Sequence, residues 1–144
     1  MRSVSIVLFV FAIVLLLPMS AGAQLRDCAA DRSDLSEMIA CYKDAYRPLS
    51  ENCQKAPESG WRAPVEGRRV LDFAEKTQYG TLSKGIVYEA EHLATARAPV
   101  DAIVLYAGEF RSYGKLVILD GCGVDLLILG LDALSVRGGE VIQA

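Results

Sequence analysis

The groups in this 144-residue chain that could do chemistry are few. His92 is the sole histidine, and Glu89 and Glu91 stand beside it in Glu89-Ala90-Glu91-His92. Acids next to an imidazole suggest a metal site or an acid–base pair. In an extended stretch, however, successive side chains alternate between faces, so these three do not converge and the segment reads as a solvated loop. No nucleophile–base pair can be assembled without a second histidine, although a carboxylate base stays open. Cys28, Cys41, Cys53 and Cys122 offer thiolates or disulfides. They contain no C-x-x-C pair, which argues against structural zinc. Glu109, Phe110, Arg111 and Tyr113 form a second cluster in a glycine-bounded loop, with two aromatics and an arginine of the kind enriched at interface hot spots. The alternative is that Phe110 and Tyr113 pack beneath that loop. Arg68-Arg69 could meet an anionic polymer or simply face solvent at the start of a strand.

The N-terminus supplies the compartment. Arg2 precedes an apolar run over 4–17 interrupted only by Ser5, then Pro18-Met19-Ser20 and the small-residue site Ala21-Gly22-Ala23. That is the layout of a secretory leader covering 1–23, with Gln24 opening the mature chain. The apolar run is short for a membrane span, which needs about 20 residues, so no span is expected after cleavage. The expected location is the periplasm or the exterior. Cleavage removes Arg2 and no acid, leaving the chain one unit more negative than the −3 of the whole sequence. Nucleic acid is therefore not an expected partner. Roughly 120 residues remain, enough for one domain with a real core.

An even cysteine count in an exported chain points to disulfides, and spacing alone leaves three connectivities. Pairing Cys41 with either Cys28 or Cys53 closes a local loop of about a dozen residues, and the remaining cysteine would then pair with Cys122. Leu35, Met38, Ile39, Tyr42 and Tyr46 recur at helical spacing. Asp34 followed by Glu37 resembles a capping box, and Pro48 is expected to stop the helix, which places it over 34–46. This helix belongs to a cysteine-bearing segment, 24–60, and its apolar face either packs on the rest of the domain or binds a partner. From Trp61 the pattern turns to β, with strands expected over 70–73, 85–89, 100–106, 116–120 and 124–129. Gly121-Cys122-Gly123 reads as a hairpin turn.

One stretch gives these elements a family context. Ser83-Lys84-Gly85-Ile86-Val87 follows Trp61-Arg62-Ala63-Pro64-Val65-Glu66-Gly67 and Phe73. It precedes Ala98-Pro99-Val100-Asp101-Ala102, Tyr106-Ala107-Gly108, Tyr113-Gly114 and Val136-x-x-Gly139-x-Val141. In that order and spacing, residues 61–144 resemble the LytM/lysostaphin-type peptidoglycan endopeptidase domain. The resemblance implies that Ser83 and Val87 stand where a His-x-Gly-x-Asp strand would hold zinc. Valine has no donor atom and a lone serine hydroxyl is a poor zinc ligand. Ala102 departs from the family's glycine, and the chain reaches Ala144 before the family's later His-x-His, so a short form or a fragment of the domain is expected.

The Lys84-Gly85 pair without zinc ligands is similar to the EnvC-like group of murein hydrolase activators. That resemblance implies a mostly β fold, a small antiparallel sheet domain of LytM type with one N-terminal helix. It implies an exported non-catalytic factor, without cofactor or metal, that activates peptidoglycan hydrolases such as cell-wall amidases. The candidate groove for the partner comprises Ser83, Lys84, Val87, Phe110, Arg111 and Tyr113. Two other readings stay open: a passive peptidoglycan-binding scaffold, and a zinc endopeptidase of the wall. The group's long coiled coil has no counterpart in 24–60, so its mode of recruitment is not implied.

Overall fold

The computed structural model describes Cys28, residues 34–51 and residues 60–144. The leader expected over 1–23, and Cys53, lie outside the described residues. Helix α1 spans Leu35–Ala45 and is followed by a short helix α2, Arg47–Ser50. Six strands follow: β1 (Gly67–Leu71), β2 (Val87–Ala90), β3 (Ala102–Glu109), β4 (Lys115–Asp120), β5 (Asp125–Leu129) and β6 (Val141–Ile142). They form two antiparallel sheets, a β1–β2 pair and a four-stranded sheet in the order β5-β4-β3-β6. The described residues are thus mostly β with one substantial helix, as the residue pattern predicts.

The helix starts where the sequence places it, by a different device. Asp34 Oδ1 accepts from the Ser36 amide at 3.1 Å and Oδ2 from the Ser36 hydroxyl at 2.8 Å, so Ser36 rather than Glu37 completes the cap. These bonds favour the carboxylate and hold Asp34 below its ordinary pKa, the Ser36 hydroxyl contributing most. Pro48 does not end helical structure. It sits in the first turn of α2, where a missing N–H leaves no intrahelical bond unmade. The break falls at Tyr46, whose amide bonds back to Tyr42 O at 2.9 Å.

β3 and β4 are buried on both faces because each face has its own cover. On one, Met38, Tyr42 and Tyr46 of α1 and its C-cap pack with Leu105, Phe110, Leu116 and Ile118. On the other, Ala102, Val104, Val117 and Leu119 lie under Leu131, Leu134 and Val136. Those last residues belong to the segment that crosses this face from β5 to β6, opening at Gly130 (φ +76). A bulge in β3 between Val104 and Tyr106 adds a residue, so Leu105 and Tyr106 both serve the helix side. The Tyr106 ring then folds over Gly108, where any Cβ would lie 2.6 Å from its hydroxyl, and that hydroxyl donates to Glu109 O at 2.7 Å.

The helix is stapled by a Cys28–Cys41 disulfide with a Cα–Cα distance of 5.9 Å. Of the three connectivities that the sequence leaves, this is one that closes a local loop at Cys41. Cys122 is disulfide-bonded too. It occupies the β4–β5 turn, where Cys122 (φ +60) and Gly123 (φ +103) both take positive φ and Gly121 N donates to Val124 O at 2.9 Å. Positive φ at both central residues is the mark of a type I′ hairpin, so the glycine–cysteine–glycine reading holds. Among the described residues no helix is long and apolar enough to cross a membrane.

Candidate partner-binding surface

The β1–β2 pair stands apart from the four-stranded sheet as an arm. Its neck is made of two extended segments joined by Arg62 N to Pro99 O (2.9 Å) and Arg97 N to Pro64 O (2.7 Å). Gly67 is needed at the base, because a Cβ there would meet Glu89 O at 2.4 Å. Across the pair Arg68 bridges to Glu89 at 2.6 Å, while Arg69 reaches Asp72 at 2.9 Å and lies over the Tyr88 ring. The paired arginines are therefore occupied with the arm's own acids.

Beyond Leu71 the chain makes a smaller hairpin before returning into β2. Ala74 N bonds Ser83 O (2.9 Å), Ser83 N bonds Glu75 O (2.8 Å) and Thr77 N bonds Thr81 O (2.8 Å), with Gly80 (φ +79) in the turn. Of the Ser83–Val87 stretch only Val87 is strand; Ser83 to Ile86 approach β2 as a bend. The Ser83 hydroxyl donates to Gly85 O at 2.6 Å, so it closes its own turn. Around it the arm leaves large apolar side chains in water: Phe73 is 69% exposed and Leu82 64%, and Tyr79, Ile86, Val87 and Leu93 are exposed as well. Lys84 is exposed among them. The sequence reading of the groove missed Phe73, Leu82 and Tyr79 as surface. The available signal for Tyr79 and Leu82 was the placing of bulky apolar residues in a segment with no strand or helix period.

The other half of the expected groove is the 110–114 loop between β3 and β4. Phe110 N bonds Gly114 O and Tyr113 N bonds Phe110 O, both at 3.0 Å, around a 3-10 turn over Arg111–Tyr113. Phe110 is only 6% exposed and belongs to the core under α1, so it supports the loop from below and is not itself a contact surface. Tyr113, half exposed, stacks on Phe110 at 6.3 Å, and the Arg111 guanidinium lies 5.6 Å over the same ring. Arg111 holds φ +47, a conformation costly for a non-glycine residue and kept here by the turn. Ser83, Lys84 and Val87 lie on the arm, Arg111 and Tyr113 on a loop of the four-stranded sheet, and Phe110 inside.

His92 is exposed, and the Glu89 carboxylate beside it is taken by Arg68. Among the described residues no three His, Cys, Asp or Glu side chains are grouped so as to hold a metal ion. Near the end of α1 lies a tyrosine cluster. Tyr42 is 6.4 Å from Tyr46 and 5.8 Å from Tyr106 between ring centroids. Burial pushes the Tyr42 phenol up to about 12, with the Tyr106 and Tyr46 phenols adding to the shift. No protein-family model, no curated protein and no solved structure matches this chain.

Proposed function

We propose that this chain is an exported, non-catalytic factor of LytM-like type that activates a peptidoglycan hydrolase, a cell-wall amidase in the first instance, by binding it with the arm. The observation that carries the reading is the arm itself. Phe73, Leu82, Ile86 and Val87 are apolar and exposed on the arm, in the same stretch as Lys84, where the family resemblance would put metal ligands. A contiguous apolar surface on a folded domain marks a place for a partner, and the proposal is that these side chains form one. The Ser83 hydroxyl is engaged in its own turn, so the chemistry on offer there is apolar contact with one lysine charge and no ligand set. Tyr113 and Arg111, held on the Phe110 ring, provide a second, smaller contact. The Cys28–Cys41 disulfide favours an oxidising compartment, in keeping with the leader sequence.

The test mixes the purified protein with periplasmic amidases and dye-labelled peptidoglycan and follows dye release. Wild-type protein is expected to stimulate at least one amidase. Leu82→Asp should reduce that stimulation about tenfold or more, as a buried interface anchor would, with no change in melting temperature. Tyr113→Ala should act in the same direction; if it lowers melting instead, its role is to cover Phe110. No stimulation of any amidase by the wild-type protein would end the activator reading. Sedimentation of the protein with peptidoglycan in the same samples would then favour a scaffold.

A further inference from the structure

The other exposed edge of the molecule has a different character. β5 is the outer strand of the four-stranded sheet, paired with β4 from Asp120↔Asp125 to Leu116↔Leu129. The Gly121 N to Val124 O bond fixes which residues face which way. In an antiparallel pair, hydrogen-bonded and non-hydrogen-bonded positions alternate. Leu126 and Ile128 therefore turn their backbone groups to β4, and Asp125, Leu127 and Leu129 turn theirs outward. The same three residues are the exposed ones, with Leu127 at 38% and Leu129 at 48%. Their cross-strand partners Ile118 and Leu116 lie in the core beneath α1, so Leu127 and Leu129 carry the helix-side face out to the sheet edge. No hydrogen bond to the outward amides and carbonyls occurs among the described residues.

Sheet edges are normally protected by lysines, prolines, bulges or a covering segment. β1 has such guards, with Arg68, Arg69 and a bulge at Val70, and β6 is only two residues long. β5 reads Asp-Leu-Leu-Ile-Leu, in unbroken register with β4. Its one charge, Asp125, is met by Lys43 of α1 at 2.6 Å.

We infer that β5 is a homotypic docking edge, and that its occupant is β5 of a second copy of this chain. Antiparallel self-pairing centred on Leu127 sets Leu127 against its twin and Asp125 against the twin's Leu129. All the outward-facing positions then meet as hydrogen-bonded pairs, giving about six backbone bonds. No like charges are opposed, because the only acid faces a leucine and keeps its own lysine. The two-fold axis runs perpendicular to the sheet, so both copies of α1 lie on one face and the four exposed leucines fill the trough between them. The result is a continuous eight-stranded sheet with an isologous interface. Five residues of strand and two leucines per copy make a small contact, so the dimer is weak and concentration-dependent. The inference is independent of the amidase reading and of the arm.

The experiment is sedimentation equilibrium on the protein recovered after export, across about a hundredfold range of concentration, beside hydrogen exchange read by NMR. The expected result is a reversible monomer–dimer equilibrium that Leu127→Lys weakens at least tenfold and that Val87→Lys on the arm leaves alone. The amides of Asp125, Leu127 and Leu129 should gain protection as concentration rises. That measurement needs no variant, so the inference stays testable if Leu127→Lys fails to fold. A protein that is monomeric throughout with unprotected β5 amides would overturn it, as would a dimer abolished by Val87→Lys and untouched by Leu127→Lys.

Discussion

In the four-stranded sheet, Val104 and Leu105 are neighbours in sequence and both fully buried, one under each cover. In the arm, Arg68, Arg69 and Val70 are neighbours and all exposed. Both are antiparallel sheets with good backbone pairing, and the difference lies in what covers them. A helix on one face and the 131–140 segment on the other turn β3 and β4 into a core. Among the described residues nothing covers the arm on either face, and two strands by themselves are marginal in water. It is kept in place by its neck, its ion pairs and its hairpin bonds, and its apolar side chains contribute little to holding the chain folded. Large apolar residues that do not serve stability are available for binding, and that is the physical content of the proposed docking surface.

Truncation should separate the two regions most sharply. Leu105→Ala or Ile118→Ala removes a fully buried side chain and should cost about 2–5 kcal/mol in urea unfolding. Leu82→Ala on the arm should stay within about 0.5 kcal/mol of wild type. If Leu82→Ala destabilises the protein as much as Leu105→Ala, the arm is part of the core and the contrast fails.

The staple belongs to the sheet region alone. Replacing Cys28 and Cys41 together by alanine opens a loop with a sequence separation of 13. It should cost on the order of 3 kcal/mol, loosening α1 while leaving β1–β2 pairing unchanged. Hydrogen exchange resolved by residue checks this. Equal loss of protection in α1 and in the arm would show that the two regions unfold as one unit.

The smallest of the three effects is alkaline. Tyr42 has an ordinary pKa of 10 raised to about 12 in the folded chain, chiefly by burial. The folded state therefore favours the neutral phenol. Its contribution is whole below pH 10 and is lost as pH rises from there toward 12. Urea midpoints measured from pH 9 to 11.5 should fall in that window, and Tyr42→Phe should flatten the fall. An unchanged slope in the variant would place the alkaline sensitivity elsewhere.

The site was less legible than the fold. The helix, five of the strands and the Gly121–Gly123 turn could be read because period, β-branched content and glycine are local properties. The strand bounds moved by one to three residues where pairing overrode local preference. Residues 70–73 were expected as β1, but the partner strand pairs Gly67 with Ala90 and Leu71 with Val87, so the ladder starts earlier and ends before Phe73. Phe110 shows the limit at the site. Its type and its place in a glycine-bounded loop suit a contact residue equally well in either orientation. Only the packing of α1 against β3 and β4 turns it inward and leaves Tyr113 outside.

By itself, the sequence determined the local grammar of the chain: the cap at Asp34, the apolar stripe from Leu35 to Tyr46, and the runs that became β3, β4 and β5. Each depends on residues close together in the chain. The tertiary structure alone decided that Cys41 pairs with Cys28, which strands have both faces covered, and that Phe73 and Leu82 lie exposed on an arm while Leu127 and Leu129 are exposed on the outer strand β5. Those outcomes depend on contacts between residues distant in sequence, and spacing along one chain does not carry the information that sets them.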